Sequence, residues 1–405
     1  MATYEIEGQG IDSVELKCLL VSRGVKVDKS LYKSVGATAR LSMNPLCCNC
    51  LILSDGTIAQ LTDLSFHLRL LAGMLSWSQL KLLRYASDLD TPFALKPLLD
   101  GDVEKVGLFW KGELLDFVSF PPHTGFYEQR TSGGLRFVGN TVLQGLDWVA
   151  FQCLWPCEYA AAGKPCEFCF SGADFETLQK KGKPLPAAVC AADVADVVAY
   201  AVQEVGVSHL QITGGSTFDG ASESAHIRSY LEALAARQEA RLPGETLLYI
   251  TPPTDTGLLD EYFALGASRV ACSLELWDEQ CAEAVTAGKM AFTTRERHLR
   301  ALEYVARRYG PAKAFSNFII GIEDFETLAE GARYLAERGV LPTASVWMPM
   351  GRPVQGSMKA PDIDYYRRVK ELFAELYVRH GLEPTASRGL NVCIERDIWN
   401  YAQSA

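Results

Sequence analysis

Four cysteines stand within seventeen residues, at Cys153, Cys157, Cys166 and Cys169, a third of the twelve in the 405-residue chain. Thiolates so close can wrap one soft-metal centre, and Cys166-Glu167-Phe168-Cys169 is the tightest bite a chain makes on such a metal. Zinc at a structural site closes on four protein ligands. An iron–sulfur cluster can be held by three, which leaves one iron open for chemistry. Counted from Cys157 the spacing is Cys-x8-Cys-x2-Cys, with Cys153 as the competing first ligand.

The elements that position these thiols are legible on either side. Leu146 to Gln152 is an apolar stretch that reads as a buried strand directly before the first cysteine. Further strand-like runs fall at 208–213, 246–251, 269–275, 314–320 and 343–348, separated by amphipathic helical stretches at 188–204, 222–240, 256–265, 279–308 and 325–338. Strands alternating with helices pair in parallel through right-handed crossovers. The pattern therefore predicts an α/β fold, a partial (β/α)6 TIM-like barrel over residues 136–405, with a C-terminal helical extension that includes a helix at 362–380. Catalytic groups of such barrels sit at the C-terminal ends of the strands, where the cysteines are.

Residues 1–135 lack this alternation and read as a small α+β N-terminal domain. A hairpin is expected where Cys50–Leu53 and Thr57–Leu61 flank Asp55-Gly56, helical periodicity runs from Leu64 to Tyr85, and a second hairpin is expected around Lys111-Gly112. The stretch from Pro121 to Gly134 reads as a linker. Hydrophobic residues make up 48% and charged residues 22%, which is globular usage. No apolar run reaches the length of a membrane span, and the first residues lack the layout of a signal peptide, so a cytoplasmic location is expected. The formal charge of −10 disfavours nucleic acid and acidic membranes as partners and favours a small-molecule substrate, or a peptide.

With Phe168 before Cys169, residues 140–350 resemble the radical S-adenosylmethionine (radical SAM) superfamily, with a biotin-synthase-like barrel. The family's usual motif is Cys-x3-Cys-x-aromatic-Cys. Here the end matches, while Tyr159 to Pro165 is an insertion. The resemblance implies a 4Fe-4S cluster on Cys157, Cys166 and Cys169 and S-adenosyl-L-methionine as cofactor. It also implies reductive cleavage to a 5'-deoxyadenosyl radical that takes hydrogen from a small-molecule biosynthetic substrate, with a flavodoxin or ferredoxin-type electron donor. Gly214-Gly215-Ser216 resembles the Gly-Gly-Glu segment that binds the methionine amine, with Ser216 in place of the acid. Ser273 and Glu275 share one face of the fourth strand, and Glu275 has two readings, a contact to cofactor hydroxyls or amine and a salt bridge to a neighbouring cation. Biotin-synthase-like members place a cation hereabouts for the methionine carboxylate, which implies a role for one of Lys289, Arg295 and Arg297, with Arg295 taken as the binder and a solvated helix face the other reading of each. Ile319 and Gly321 resemble the segment packing on adenine, and Met350 belongs to a Pro-x-x-Gly-x-Pro-like turn at the barrel mouth. Asn317, Tyr249 and Thr251 are candidates to face substrate by position.

Cys47, Cys48 and Cys50, with Cys393 or Cys18 as a fourth, are candidates for an auxiliary iron–sulfur cluster. No cobalamin-binding signature is present. Modification of a peptide or tRNA is the alternative within the family, and a zinc-stabilised non-radical barrel the alternative outside it.

Overall fold

The computed structural model describes residues 2–28, 31, 50–62, 90–100, 103–122, 124–137, 140–154, 157–169, 178–183, 188–348 and 360–404. The chain opens on a hairpin of β1 (Thr3–Ile6) and β2 (Gln9–Asp12), which runs into α1 (Ser13–Arg23). Asp12 closes a capping box there: its carboxylate accepts from the Val14 and Glu15 amides at 3.0 Å, while Glu15 accepts from the Asp12 amide at 3.0 Å. β3 (Lys26–Val27), β6 (Phe93–Asp100), β7 (Val103–Trp110) and β8 (Glu113–Val118) form a four-stranded sheet. The hairpin expected at Asp55-Gly56 is present as β4 (Cys50–Ile52) and β5 (Ile58–Gln60), and the one at Lys111-Gly112 is the β7–β8 turn. The periodicity over 64–85 lies outside the described residues.

The central sheet has seven strands. An edge strand β9 (Thr141–Gln144), which the sequence pattern did not reveal, pairs antiparallel with β10 (Trp148–Leu154). From β10 the order is sequential and parallel through β11 (His209–Gly214), β12 (Thr246–Tyr249), β13 (Arg269–Ala271), β14 (Ala314–Ile320) and β15 (Leu341–Val346). These six are the expected barrel strands. Their apolar runs are near-continuous, as in Ala314-Phe315-Ser316-Asn317-Phe318-Ile319-Ile320, because helices cover one face and the interior fills the other.

The crossovers carry α3 (Ala191–Tyr200), α4 (Ala221–Ala236), α5 (Gly257–Ala264), α6 (Glu279–Val285), α7 (Arg295–Tyr309) and α8 (Phe325–Ala336); α2 (Glu158–Ala161) is a single turn inside the cysteine segment. The stretch 279–308, expected as one helix, is broken. A π-turn at Lys289–Thr293 and a left-handed Thr294, φ 54°, separate α6 from α7, and Thr294 caps α7 by accepting from the Arg297 amide. The sequence offered no proline to announce this break. α9 (Ile363–His380) is the expected last-edge helix, and α10 (Glu395–Ser404) follows it. Among the described residues no helix is long and apolar enough to cross a membrane.

One contiguous set of buried apolar side chains joins α1 (Leu16, Leu19, Leu20) to the strands (Val149, Ile212, Val270, Phe318) and α9 (Phe373, Tyr377). A charge is buried against it. Lys17, with a fully buried side chain, donates from Nζ to the Leu390 carbonyl, to the Cys393 carbonyl at 2.8 Å and to Asp397 at 2.7 Å. Removing one member of such a group leaves the other charge uncompensated in the interior. Lys17→Met is therefore expected to destabilise the fold by about 3–5 kcal/mol, read as a lower urea midpoint. A loss below about 1 kcal/mol, the worth of an exposed pair, would contradict this account of the C-terminal segment.

Candidate active site

The cysteine segment lies over the C-terminal ends of the strands and is tied down on two sides. The Glu158 amide donates to the Ser216 carbonyl at 2.8 Å, after β11, and the Glu167 amide to the Val285 carbonyl at 2.9 Å, at the end of α6. Inside the segment, the Lys164 amide donates to the Tyr159 carbonyl at 2.8 Å and the Cys169 amide to the Cys166 carbonyl at 3.1 Å. Gly288 shows how closely the loop sits on the π-turn: a Cβ there would lie 2.5 Å from both the Lys164 carbonyl oxygen and Tyr159 Cβ. The Tyr159 hydroxyl, buried, donates to Thr293 Oγ1 at 3.1 Å, and that hydroxyl donates to the Lys289 carbonyl at 3.0 Å.

Under this loop is a cleft with about 810 Å³ of empty space, including its open mouth. Cys157, Cys166 and Cys169 all line it, with Phe168, Gly214, Gly215, Ser216, Ser273, Glu275 and Lys289. Tyr249 and Thr251 line it as well. All twelve of these residues, singled out in the sequence, thus converge on one space. The thiols are half-buried. Burial pushes the Cys166 thiol up, the Lys289 ammonium pulling the other way, so binding a metal there must release a proton. Among the described residues no three His, Cys, Asp or Glu side chains stand close enough to share a single ion. In a cubane cluster each thiolate takes a different iron, so its ligands stand wider than those of one ion, and three thiols around one cleft suit that donor set. Cys153 falls in β10, at a register shift between Gln152 and Leu154.

Glu275 has the partners of a buried carboxylate. It accepts from Lys289 Nζ at 2.9 Å and from Asn317 Nδ2 at 3.0 Å, and Lys289 also donates to the Ser273 carbonyl at 2.6 Å. Burial is the largest single influence and opposes the Lys289 charge, but Glu275 together with the Cys166 and Cys169 thiols outweighs it and holds the ammonium pKa above its ordinary value. The backbone of Glu275 is left-handed, φ 73°, and is held by β14, whose Asn317 carbonyl accepts its amide and whose Ile319 amide donates to its carbonyl, both at 3.0 Å. A non-glycine residue in that region stores strain, and the two hydrogen bonds keep it there.

The cation of the cleft is Lys289, where the resemblance pointed to Arg295. Arg295 lies over the Trp277 ring at 3.6 Å, donates to the Trp277 carbonyl at 2.8 Å, and faces a small separate cavity with Met290 and His298. The π-turn is the reason: it turns Lys289 inward and starts α7 too late for Arg295 to follow. Ile319 and Gly321 do not line the cleft among the described residues. Ile319 holds Glu275, and the Gly321 amide donates to the Tyr365 hydroxyl at 3.1 Å. Met350, Cys47 and Cys48 lie outside the described residues. Cys50 and Cys18 are buried in β4 and α1, and Cys393 Sγ is 3.1 Å from Ser345 Oγ.

Sequence reasoning missed Glu223. Buried in the first turn of α4, it accepts from the Thr251 amide at 2.8 Å, the Thr251 hydroxyl at 3.0 Å and the Thr217 hydroxyl at 3.3 Å. The Thr217 amide in turn donates to Thr251 Oγ1 at 3.0 Å. One carboxyl group thereby clasps the loops after β11 and β12. An acid in the first turn of an amphipathic helix ordinarily reads as a solvated dipole partner, which hid it.

No family model matches the chain. Among curated proteins it is similar to the bacteriochlorophyllide c C-7(1)-hydroxylase of Chlorobaculum limnaeum, 26% identical over 237 residues, which cover 56% of this chain and 58% of that protein. The chain therefore spans less than two thirds of this relative. Among solved structures it is similar to a radical SAM methyltransferase from Sphaerobacter thermophilus, 15% identical with a TM-score of 0.40, over 82% of this chain and 89% of that one. Methylornithine synthase follows at 13% identity and a TM-score of 0.39, over 60% and 77%. Against the motifs that the sequence resembles, this chain departs by the insertion Tyr159 to Pro165 and by the serine at position 216.

Burial raises the Glu223 carboxyl to about 8, its hydrogen bonds pulling the other way, with Glu158 adding to the rise. The folded state then keeps a proton that the unfolded chain releases above its ordinary value of 4.5. Its contribution is full below that value and is lost as pH rises towards about 8. Glu223→Gln, a neutral isostere, is expected to flatten this part of the stability profile, so that its advantage over the natural chain grows from about pH 5 to about pH 8 and then levels. Parallel profiles for the two proteins would contradict the clasp's protonation.

Proposed function

We propose that the protein is a radical SAM enzyme whose cleft holds a 4Fe-4S cluster on Cys157, Cys166 and Cys169 and S-adenosyl-L-methionine beside it. The observation that carries this is the convergence of three thiols, the Gly214-Gly215-Ser216 backbone and the Glu275–Lys289 pair in one cleft at the strand ends. When bound, cluster and cofactor supply a one-electron bond cleavage and a carbon radical that removes hydrogen from substrate. The chain's residues bind, orient and exclude water. Lys289 offers a cation to a carboxylate, and Glu275 offers its oxygens to an ammonium or to hydroxyls, so the pair answers both charges of an amino acid group. The loop backbone at Gly214 and Gly215 admits a ligand closely. Ser216 is committed through its carbonyl to Glu158, so its backbone fixes the cysteine loop and its side chain replaces the usual acid.

The hydroxylase relative acts, by its name, at a carbon of a chlorophyllide. Hydroxylation of carbon begins with removal of hydrogen from it, and we infer the same opening step here on a small molecule. Tyr249 and Thr251 are placed to face it, the barrel occupying residues 136–405 and residues 1–135 forming a small α+β N-terminal domain that shares its core.

Anaerobic reconstitution with iron and sulfide, reduction with dithionite, and chromatography for 5'-deoxyadenosine test the reading. Cysteine-to-alanine change at 157, 166 or 169 should each abolish the cluster absorbance, and Cys153→Ala should keep it. Lys289→Met should weaken cofactor binding by roughly tenfold to a hundredfold, the worth of a charged hydrogen bond. A Cys153→Ala protein without a cluster, or a loaded natural chain that leaves S-adenosyl-L-methionine intact, would overturn the reading.

A further inference from the structure

On the outer side of the cysteine loop is an aromatic group that shares only Tyr159 with the cleft. Phe218, in the loop after β11, is 42% exposed. Its ring centroid is 4.6 Å from that of Phe292 and 6.3 Å from that of Tyr159, and Tyr159 and Phe292 are 5.6 Å apart. Single exposed phenylalanines are ordinary. This one is pinned at both ends of its backbone: its amide donates to Glu158 Oε2 at 2.7 Å, and its carbonyl accepts from Arg297 Nη1 at 2.7 Å. Arg297 is 9% exposed, and its Nε and Nη2 have no partner among the described residues. A buried guanidinium is costly, and this one is spent on holding the Phe218 carbonyl. Beside the rings stands exposed Lys164, its Nζ 5.6 Å from the Phe292 centroid and with no carboxylate partner among the described residues.

Tyr159 connects this surface to the site. It follows Cys157 by two residues, lines the cleft on one side and touches Phe218 and Phe292 on the other. Substrate and cofactor need the open cleft. An electron needs only a short path, because tunnelling falls steeply with distance, and Tyr159 joins this surface to the cleft that the thiols line.

We propose that Phe218, Phe292 and Lys164 form the face on which a small acidic one-electron carrier, a flavin or iron–sulfur protein, docks to reduce the cluster. The proposal rests on the radical SAM reading. Electron-transfer encounters use small, weak interfaces, below about 1,200 Å², which suits a compact patch of two rings and a cation. Aromatic side chains supply the anchor, and the cation orients an acidic partner that a chain of net charge −10 would otherwise repel. In the step, the carrier loses one electron and the cluster gains one; no bond is made or broken and no proton moves.

The test uses the full reconstituted chain, a reduced bacterial flavodoxin as probe, and two variants, Phe218→Ala and Lys164→Glu. Stopped-flow absorbance reads cluster reduction, and titration of cluster-free protein with flavodoxin reads binding. Each variant should bind flavodoxin roughly tenfold more weakly and be reduced correspondingly more slowly, with dithionite reduction unchanged. Raising the salt should remove most of the Lys164 effect. Flavodoxin reduction at the natural rate in both variants would overturn the proposal, as would a self-associated natural chain that Phe218→Ala turns into monomers. Should Phe218→Ala lose its cluster, Lys164→Glu alone decides. Failure of dithionite to drive cofactor cleavage in the natural chain would instead strike the radical SAM reading itself.

Discussion

The site depends on an irregular loop being held against two neighbours at close range. Two backbone hydrogen bonds, to the Ser216 and Val285 carbonyls, and a missing side chain at Gly288 set the distance between the thiols and the strand ends. Among the described residues the loop's only helix is the single turn of α2, too short to fix the loop by itself. Its position is borrowed from the loop after β11 and from the π-turn, and a methyl group at Gly288 would push it off the latter. The same contact turns Lys289 inward.

Around this contact the chain accepts local cost for placement. Glu275 takes a left-handed backbone that β14 enforces, and its carboxylate is matched by Lys289 and Asn317. Glu223 is buried with three donors aimed at it, which secures two loop ends at once. Buried polar groups of this kind, the ionised Glu275–Lys289 pair and the protonated Glu223 alike, are weak evidence for stability, since apolar packing would serve as well. Its value is that a hydrogen-bonded carboxylate has one geometry, and both walls of the cleft inherit it.

Much of this was legible in the residues. The six parallel strands followed from apolar runs alternating with amphipathic stretches, and the cysteines from their spacing. What escaped had physical reasons. β9 is a four-residue edge strand whose pattern is too short to stand out. The π-turn leaves no composition signal, since Lys289 to Thr293 would suit a helix, and only the left-handed Thr294 ends it. The identity of the cleft cation followed from that break, so Arg295 was expected where Lys289 stands. Glu223 looked like any acidic helix start, because its burial is set by Thr217 and Thr251, far from it in pattern.

The central claim is a cluster with three protein thiolates and one open iron, and electron paramagnetic resonance of the reduced, reconstituted chain with and without S-adenosyl-L-methionine tests it most directly. The account expects a cluster signal that shifts when the cofactor is added, because the ligand enters the iron's own coordination sphere. A signal that does not respond, or a chain that takes up zinc and shows no cluster signal, would contradict it.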